Sequence, residues 1–360
     1  QTKECLLRGG FKPKFVAHSG EAPPEAASQD GRTVGVLGVL WDTEADALSL
    51  GYKNMNIEKK VRGAKPTSDR DLTSPEGIME ALQDGLLSRR NVLGRAAEFF
   101  DPLGLFEPVK LNLKLALSEL NHLMWDQPVP WEHHERWKTL LSFMEAVSEV
   151  ELPRCIRPAA AATPDVRLLC LADAGERAGG CAIYAGYQLP NGFYSCRLVY
   201  AKSRLMRNTV PRNELEAVLL CAEASLLVQK AMGDVVKEVF YFSDSTIAIS
   251  WILNDRKRLR MWTHNRVKEI LNAIKWVVGG VETYPIYHID GGMNMADMVT
   301  KPRQMYMADI NAESNWQTGL QWMQLPSDQL PKTQVRIPTG ENEKKDFESE
   351  LFPEIFTRDS

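Results

Sequence analysis

Four carboxylates are spaced so that a folded sheet could gather them: Asp173, Glu214, Asp244 and Asp297. Asp244 ends the apolar run Val239-Phe240-Tyr241-Phe242 and runs directly into Ile247-Ala248-Ile249-Ser250-Trp251, which has the look of a helix. That pattern reads as a buried strand, a carboxylate, then a helix capped by Ser245 or Thr246. Open α/β sheets bind ligands at this end of their strands. Capping is the commoner use of an Asp there, so its partners must decide. Asp173 ends a second strand (LCLAD), Glu214 falls in the first turn of the intervening helix, and Asp297 lies in a last short helix. Carboxylates so grouped raise one another's pKa and call for cations. Oxygen-only ligands suit Mg²⁺ or Mn²⁺. Two such ions can activate a water and stabilise the leaving oxygen in phosphodiester hydrolysis.

The elements that would position these acids follow from periodicity. Residues 166–172 form a nearly continuous apolar strand, as in the middle of a sheet. Cys181–Tyr187 and Phe193–Ala201 form a hairpin around Pro190-Asn191-Gly192. Thr209, with Pro211 just inside, opens a long helix whose buried face includes Leu215, Val218, Leu219 and Ala222. A strand at 238–242, helices near 246–253 and 262–275, a strand Val281–Ile289 and a short helix from Asn294 to Lys301 complete the order. The crossover from 166–172 to 238–242 should make those strands parallel neighbours. The predicted class is α/β, a mixed five-stranded sheet with flanking helices.

Upstream, Leu6–Lys12 reads as a strand end and loop, and Val34–Leu40 pairs with Ala47–Leu50 as a hairpin. Residues 53–85 are charged and irregular, with Pro66 and Pro75 as breakers. Three helices follow: one from Ser88 with Val92, Leu93, Ala96, Ala97 and Phe100 on its inner face, then Val109–Trp125 and Trp131–Val150. Residues 155–165 read as a linker.

With 360 residues, 44% hydrophobic and 25% charged, the composition is that of a globular protein of two domains. No apolar run is long enough to span a membrane. The net charge of -4 resides in residues 341–360, where seven acids face three basic residues. Elsewhere basic clusters stand out: Lys53, Lys59, Lys60, Arg62 and Lys65; Lys202, Arg204, Arg207 and Arg212; Arg256, Lys257, Arg258 and Arg260. They are solvated faces or nucleic-acid contacts. Six cysteines without a close pair suggest reduced thiols in an intracellular protein, cytoplasmic or nuclear. The first residues carry neither Met nor an apolar signal core, as expected for a piece of something longer.

Several motifs, in order and spacing, resemble the Pol polyprotein of Bel/Pao-type LTR retrotransposons. They are Ala172-Asp173-Ala174, Ala201-Lys202-Ser203-Arg204, Val210-Pro211-Arg212-Asn213-Glu214-Leu215, Ser243-Asp244-Ser245-Thr246, Asn265-Arg266-Val267 and Asn294-Met295-Ala296-Asp297. These look like its ribonuclease H domain. Gly9-Gly10-Phe11 looks like the end of a polymerase palm, and Phe100-Asp101-Pro102-Leu103-Gly104-Leu105-Phe106-Glu107-Pro108-Val109 like the region after it. Trp316, Gly319, Trp322 and Leu325-Pro326 resemble the spacer before integrase.

The resemblance implies a palm remnant at 1–30, a thumb or connection-like region at 31–154, a ribonuclease H-like domain at 166–303 and a spacer at 304–331; outside it, the charge and missing periodicity of 332–360 read as a disordered acidic tail. It implies that Asp173, Glu214, Asp244 and Asp297 bind Mg²⁺, with Mn²⁺ as substitute, and cleave the RNA strand of an RNA–DNA hybrid. Arg204, Arg207, Arg212 and Arg266 become candidates for phosphate contacts, and other parts of the polyprotein candidate partners. The sequence departs from the family at Gly175, where Ser is usual, and at Met295, where Pro is usual; the loop 290–293 lacks a His, which points to weak activity. No Tyr-x-Asp-Asp occurs, so DNA synthesis is not expected. The alternatives are a remnant that keeps the fold and binds nucleic acid without turnover, and a DDE-type transposase or integrase. The latter places its glutamate last, whereas Glu214 precedes Asp244.

Overall fold

A computed structural model describes residues 2–28, 30–36, 38–51, 74–253, 259–278 and 284–335. The basic cluster 53–65, Arg256, Lys257, Arg258 and the tail from residue 336 lie outside them. The described residues form two compact units. One gathers those of 1–102, 108–156 and 303–317, the other those of 103–107, 157–302 and 318–335.

In the first unit, helix α1 (Thr2–Arg8) replaces the expected strand end. Gly10, at φ +80°, stops it: the Phe11 N–H reaches Leu6 O at 2.9 Å and the Gly10 N–H reaches Leu7 O at 3.1 Å. The run 34–40 is two strands instead of one. Strands β1 (Thr33–Val36) and β2 (Val39–Asp42) turn on each other at Gly38, φ +86°, and β3 (Ala47–Leu50) and β4 (Leu152–Pro153) complete an antiparallel sheet. Pro75, expected to break structure, starts helix α2 (Pro75–Gln83), because its missing N–H costs nothing at the first helical position; Ser74 Oγ caps the Gly77 N–H at 3.1 Å. Helix α3 (Arg89–Glu98) begins where expected, with Ser88 as its cap, but its inner face is Val92, Arg95 and Phe99, while Leu93 and Phe100 are exposed. Arg95 can be buried because Glu98 and Glu145 meet its guanidinium. Helices α4 (Glu107–Glu119) and α5 (His134–Ser148) follow.

The second unit is built on strands β5 (Val166–Ala174), β6 (Ala178–Gln188), β7 (Tyr194–Leu205), β8 (Val236–Ser243) and β9 (Ile286–His288). Their order is β7-β6-β5-β8-β9. Strand β6 runs antiparallel to β5 and β7, and β8 runs parallel to β5 and β9. The expected mixed five-stranded sheet is therefore present, and every residue of the central β5 is buried. Helix α6 (Val210–Met232) crosses from β7 to β8, and α7 (Thr246–Leu253) and α8 (Met261–Val278) lie between β8 and β9. Asp297 sits in a 3₁₀ turn, Met295–Val299, where an α-helix was expected. The thiols of Cys170, Cys181, Cys196 and Cys221 are buried and unbridged, as anticipated.

Two segments distant in sequence fasten this sheet. The Arg167 guanidinium, fully buried on β5, donates to Met323 O at 2.7 Å and Leu325 O at 2.9 Å, and stacks 3.6 Å from the Tyr194 ring centroid. Trp322 packs edge-on against Phe242 and donates to Met293 O at 3.1 Å. On the free side of β7, the Ala201 N–H reaches Leu103 O at 2.9 Å, and Glu107 accepts the Ser203 N–H at 2.9 Å and hydroxyl at 2.7 Å. Gly104, φ +73°, permits this, since a Cβ there would overlap the Ala201 carbonyl.

Candidate active site

Register brings the two aspartates together. Ala172 of β5 pairs with Ser243 of β8, so the next residues, Asp173 and Asp244, leave neighbouring parallel strands at the same edge. Asn294 ties that edge to the Asp297 turn: its amide donates to Ala172 O at 3.0 Å and Asp244 Oδ1 at 3.4 Å, and its side-chain oxygen accepts the Ala296 N–H at 3.2 Å. Gly291 also borders Asp244, whose Oδ2 would lie 3.1 Å from an added Cβ.

Glu214 is the fifth residue of α6, just past the first turn in which it was expected. Its neighbour Asn213 is buried and holds the helix start: its amide donates to Gly175 O at 2.9 Å and its oxygen accepts the Asn208 N–H at 3.1 Å. Ser245 is the cap of α7, accepting the Ala248 N–H at 3.1 Å, and its hydroxyl donates to Glu214 Oε2. Asp173 Oδ2 accepts the Thr300 hydroxyl, and Asp297 Oδ1 pairs with Lys301 one helical turn on.

Burial is the main reason Asp173 is pushed up to about 6; Asp244 and Asp297 add repulsion, which the Thr300 hydroxyl and Lys301 oppose. Burial likewise pushes Glu214 up to about 7, with repulsion from Asp244 and Asp173 and an opposing bond from Ser245. The Lys301 ammonium is held above its usual range by its bond to Asp297 first, and by the charges of Asp173 and Asp244. These mutual influences put all four acids in one electrostatic neighbourhood.

Among the described residues, no three His, Cys, Asp or Glu side chains stand close enough to hold a metal ion as placed. Three of the four carboxylates are instead turned to Ser245, Thr300 and Lys301, and the fourth, Asp244, accepts the Asn294 amide at 3.4 Å. In chemistry the set still fits a hard divalent cation, because it offers oxygen ligands alone and two of its carboxyls stay raised, Asp173 even with Lys301 nearby.

Of the arginines singled out, Arg204 and Arg207 are exposed, the former 3.9 Å from Glu223. Arg212 and Arg266 both stack on Trp262. Ser245, Thr300 and Lys301 escaped the sequence reading as site residues. Their signal was positional: Ser245 follows Asp244, and Thr300 and Lys301 fall three and four residues after Asp297. Of two further acids in this part of the chain, Asp290 is exposed and Asp255 is outside the described residues.

The family model described as "Pao retrotransposon-like RNaseH-like domain" matches residues 88–245, somewhat less than half of the chain. No curated protein matches. Among solved structures, LC11-RNase H1, isolated from compost by a metagenomic approach, is 17% identical with a TM-score of 0.28, covering 38% of this chain and 93% of its own. The N-terminal RNase H domain of Rv2228c from Mycobacterium tuberculosis is 11% identical (TM-score 0.27), covering 36% and 86%. The foamy viral protease-reverse transcriptase, solved with an RNA/DNA hybrid, is 15% identical (TM-score 0.34); 76% of this chain is covered but only 31% of that one. The resemblance to a Pao-type retrotransposon Pol fragment is thereby borne out over residues 88–245, a stretch that holds Asp173, Glu214 and Asp244 and ends just after Asp244.

Proposed function

We propose that the chain is a retrotransposon-derived ribonuclease H that hydrolyses the RNA strand of RNA–DNA hybrids with Mg²⁺, or Mn²⁺ in its place. The observation that carries this is the paired exit of Asp173 and Asp244 from neighbouring parallel strands, with the perturbed Glu214 bonded to the residue after Asp244. Asp173, Glu214, Asp244 and Asp297 are the residues that would hold the ions. Bound divalent cations supply an activated water and stabilise the leaving oxygen in such hydrolysis. The protein's part is to release its own carboxylates: Glu214 from Ser245, Asp173 from Thr300, Asp297 from Lys301. Asn294 keeps Asp244 aimed while the others turn. Selection of the hybrid rests on duplex shape and 2′-hydroxyls, not base sequence. Such a substrate assigns the activity to the inside of a cell, in cytoplasm or nucleus, with other Pol segments as partners.

Cleavage of an end-labelled RNA–DNA hybrid in Mg²⁺ or Mn²⁺ tests the reading, with Asp244→Asn as control. No cleavage, or equal cleavage by the variant, refutes it. A second reading, a hybrid-binding remnant without turnover, is favoured by the engagement of three carboxylates with protein groups. It predicts hybrid binding with no metal-dependent cleavage.

A further inference from the structure

Helices α6 and α8 run side by side. Trp262 meets Arg212 near their N-terminal ends, and Trp276 meets Lys230 near the others. Because β7 ends beside the Asp173 edge of the sheet, with Ser203 level with Gly180 and Gly180 with Asp173, α6 starts at that edge, and α8 starts there with it. At this corner the Arg212 guanidinium carbon lies 5.2 Å from the Trp262 ring centroid and that of Arg266 lies 5.3 Å from it. Both are within cation–π range, and the two cations are therefore at most about 10.5 Å apart. Phosphates of one strand rise roughly 3.4 Å each along the duplex axis, so an interval within that bound corresponds to no more than about three steps.

Two like charges held this close repel, and Trp262 offsets the repulsion by offering its π-face to both. Glu216 and Glu269 add compensating charge beside Arg266, at 4.0 Å and 3.5 Å. The indole itself is half-buried, so it fixes the guanidiniums without leaving the surface. We propose that Trp262 is a positioning residue that presents Arg212 and Arg266 as a two-point clamp on the backbone phosphates of a nucleic-acid strand lying along the catalytic edge. The clamp rests on the nucleic-acid reading above and adds to it a site that reads no bases. Its place is set by the starts of α6 and α8, apart from Arg204 and Arg207, which lie on β7 and the loop after it.

The test is the salt dependence of hybrid binding by the full chain, followed by fluorescence anisotropy in EDTA so that no cleavage occurs. Each lost phosphate contact lowers the slope of log K against log[salt] by about 0.9. Arg212→Gln and Arg266→Gln should each lower it by about that much, and Trp262→Ala should approach the double variant. Trp262→Phe, which keeps an aromatic face, should restore most of the slope, and circular dichroism should show each variant folded. Wild-type slopes in the arginine variants overturn the clamp, as does a wild-type slope in a folded Trp262→Ala. Either result leaves hybrid cleavage by the wild-type chain intact, so the clamp fails separately from the ribonuclease reading. Absence of any hybrid binding by the wild-type chain overturns both.

Discussion

The Ser245 hydroxyl binds in two directions at once: it accepts the Ala248 N–H at 3.1 Å and donates to the Glu214 carboxylate. One oxygen therefore starts α7 and restrains an acid carried by α6. The cap of a helix and the conformation of a candidate metal ligand are coupled through it.

That coupling separates two substitutions. Ser245→Ala removes the cap and should lower stability by about 1 kcal/mol in urea unfolding. Ser245→Asp keeps a capping oxygen but sets a second carboxylate against Glu214. It should be nearly neutral at pH 5 and clearly destabilising at pH 8. Equal effects of Ser245→Asp at the two pH values would show that Ser245 acts only as a cap.

Metal-free stability should fall as pH rises. The folded state holds Asp173 at about 6 and Glu214 at about 7, both above their ordinary values, so it binds more protons than the unfolded chain in between. Stability then decreases with pH across roughly 4 to 7 and levels off above. The expected loss is a few kcal/mol, since each tenfold change in a carboxyl's proton affinity is worth about 1.4 kcal/mol. Thermal melts in EDTA at pH 5 and pH 8 measure it; a higher melting temperature at pH 8 would contradict the assignment.

Removing one charge should relieve the site. Asp244→Asn should raise the metal-free melting temperature at pH 8, because the repulsion on Asp173 and Glu214 is lost. Mn²⁺ should stabilise the wild-type chain, by about 2.7 kcal/mol at a hundred times its dissociation constant, and the variant much less. Equal Mn²⁺ stabilisation of both would remove Asp244 from the ligand set.

Arg167 offers a test of the scaffold. Arg167→Met retains the apolar stem but leaves the Leu325 carbonyl without its donor and the Met323 carbonyl with the Cys196 thiol alone. The cost should be about 3 kcal/mol, as for buried acceptors left unpaired. The segment 323–327 should become the first site of limited proteolysis. Wild-type protection there would mean that Trp322, with the Cys196 and Glu238 bonds to Met323 and Ser327, anchors it without Arg167.

The strand–acid–helix pattern made Asp244 visible in sequence, and the apolar run 166–172 made Asp173 visible, because period and burial are local properties. The parallel pairing of their strands followed from the helix between them. What stayed hidden depends on tertiary partners. Arg95 and Arg167 are buried charges that no periodicity predicts, since Glu145 and the carbonyls of 323–325 lie 50 and more than 150 residues away. The inner face of α3 was misassigned for that reason. Pro75 was misread because its effect depends on position: it breaks a helix interior but suits a helix start. Thr300 and Lys301 gain their roles only from the fold, which sets them beside Asp173 and Asp297.

The docking of Leu103–Glu107 along β7 bears on how the second unit can be excised. A fragment beginning at residue 157 would lose the carbonyl that meets Ala201 and the carboxylate that meets Ser203. Its outermost strand would be left as a bare ribbon of donors, open to pairing with a second molecule. A soluble excised domain must therefore bring the pentapeptide with it, and Gly104 cannot be exchanged for any bulkier residue without loosening that seam.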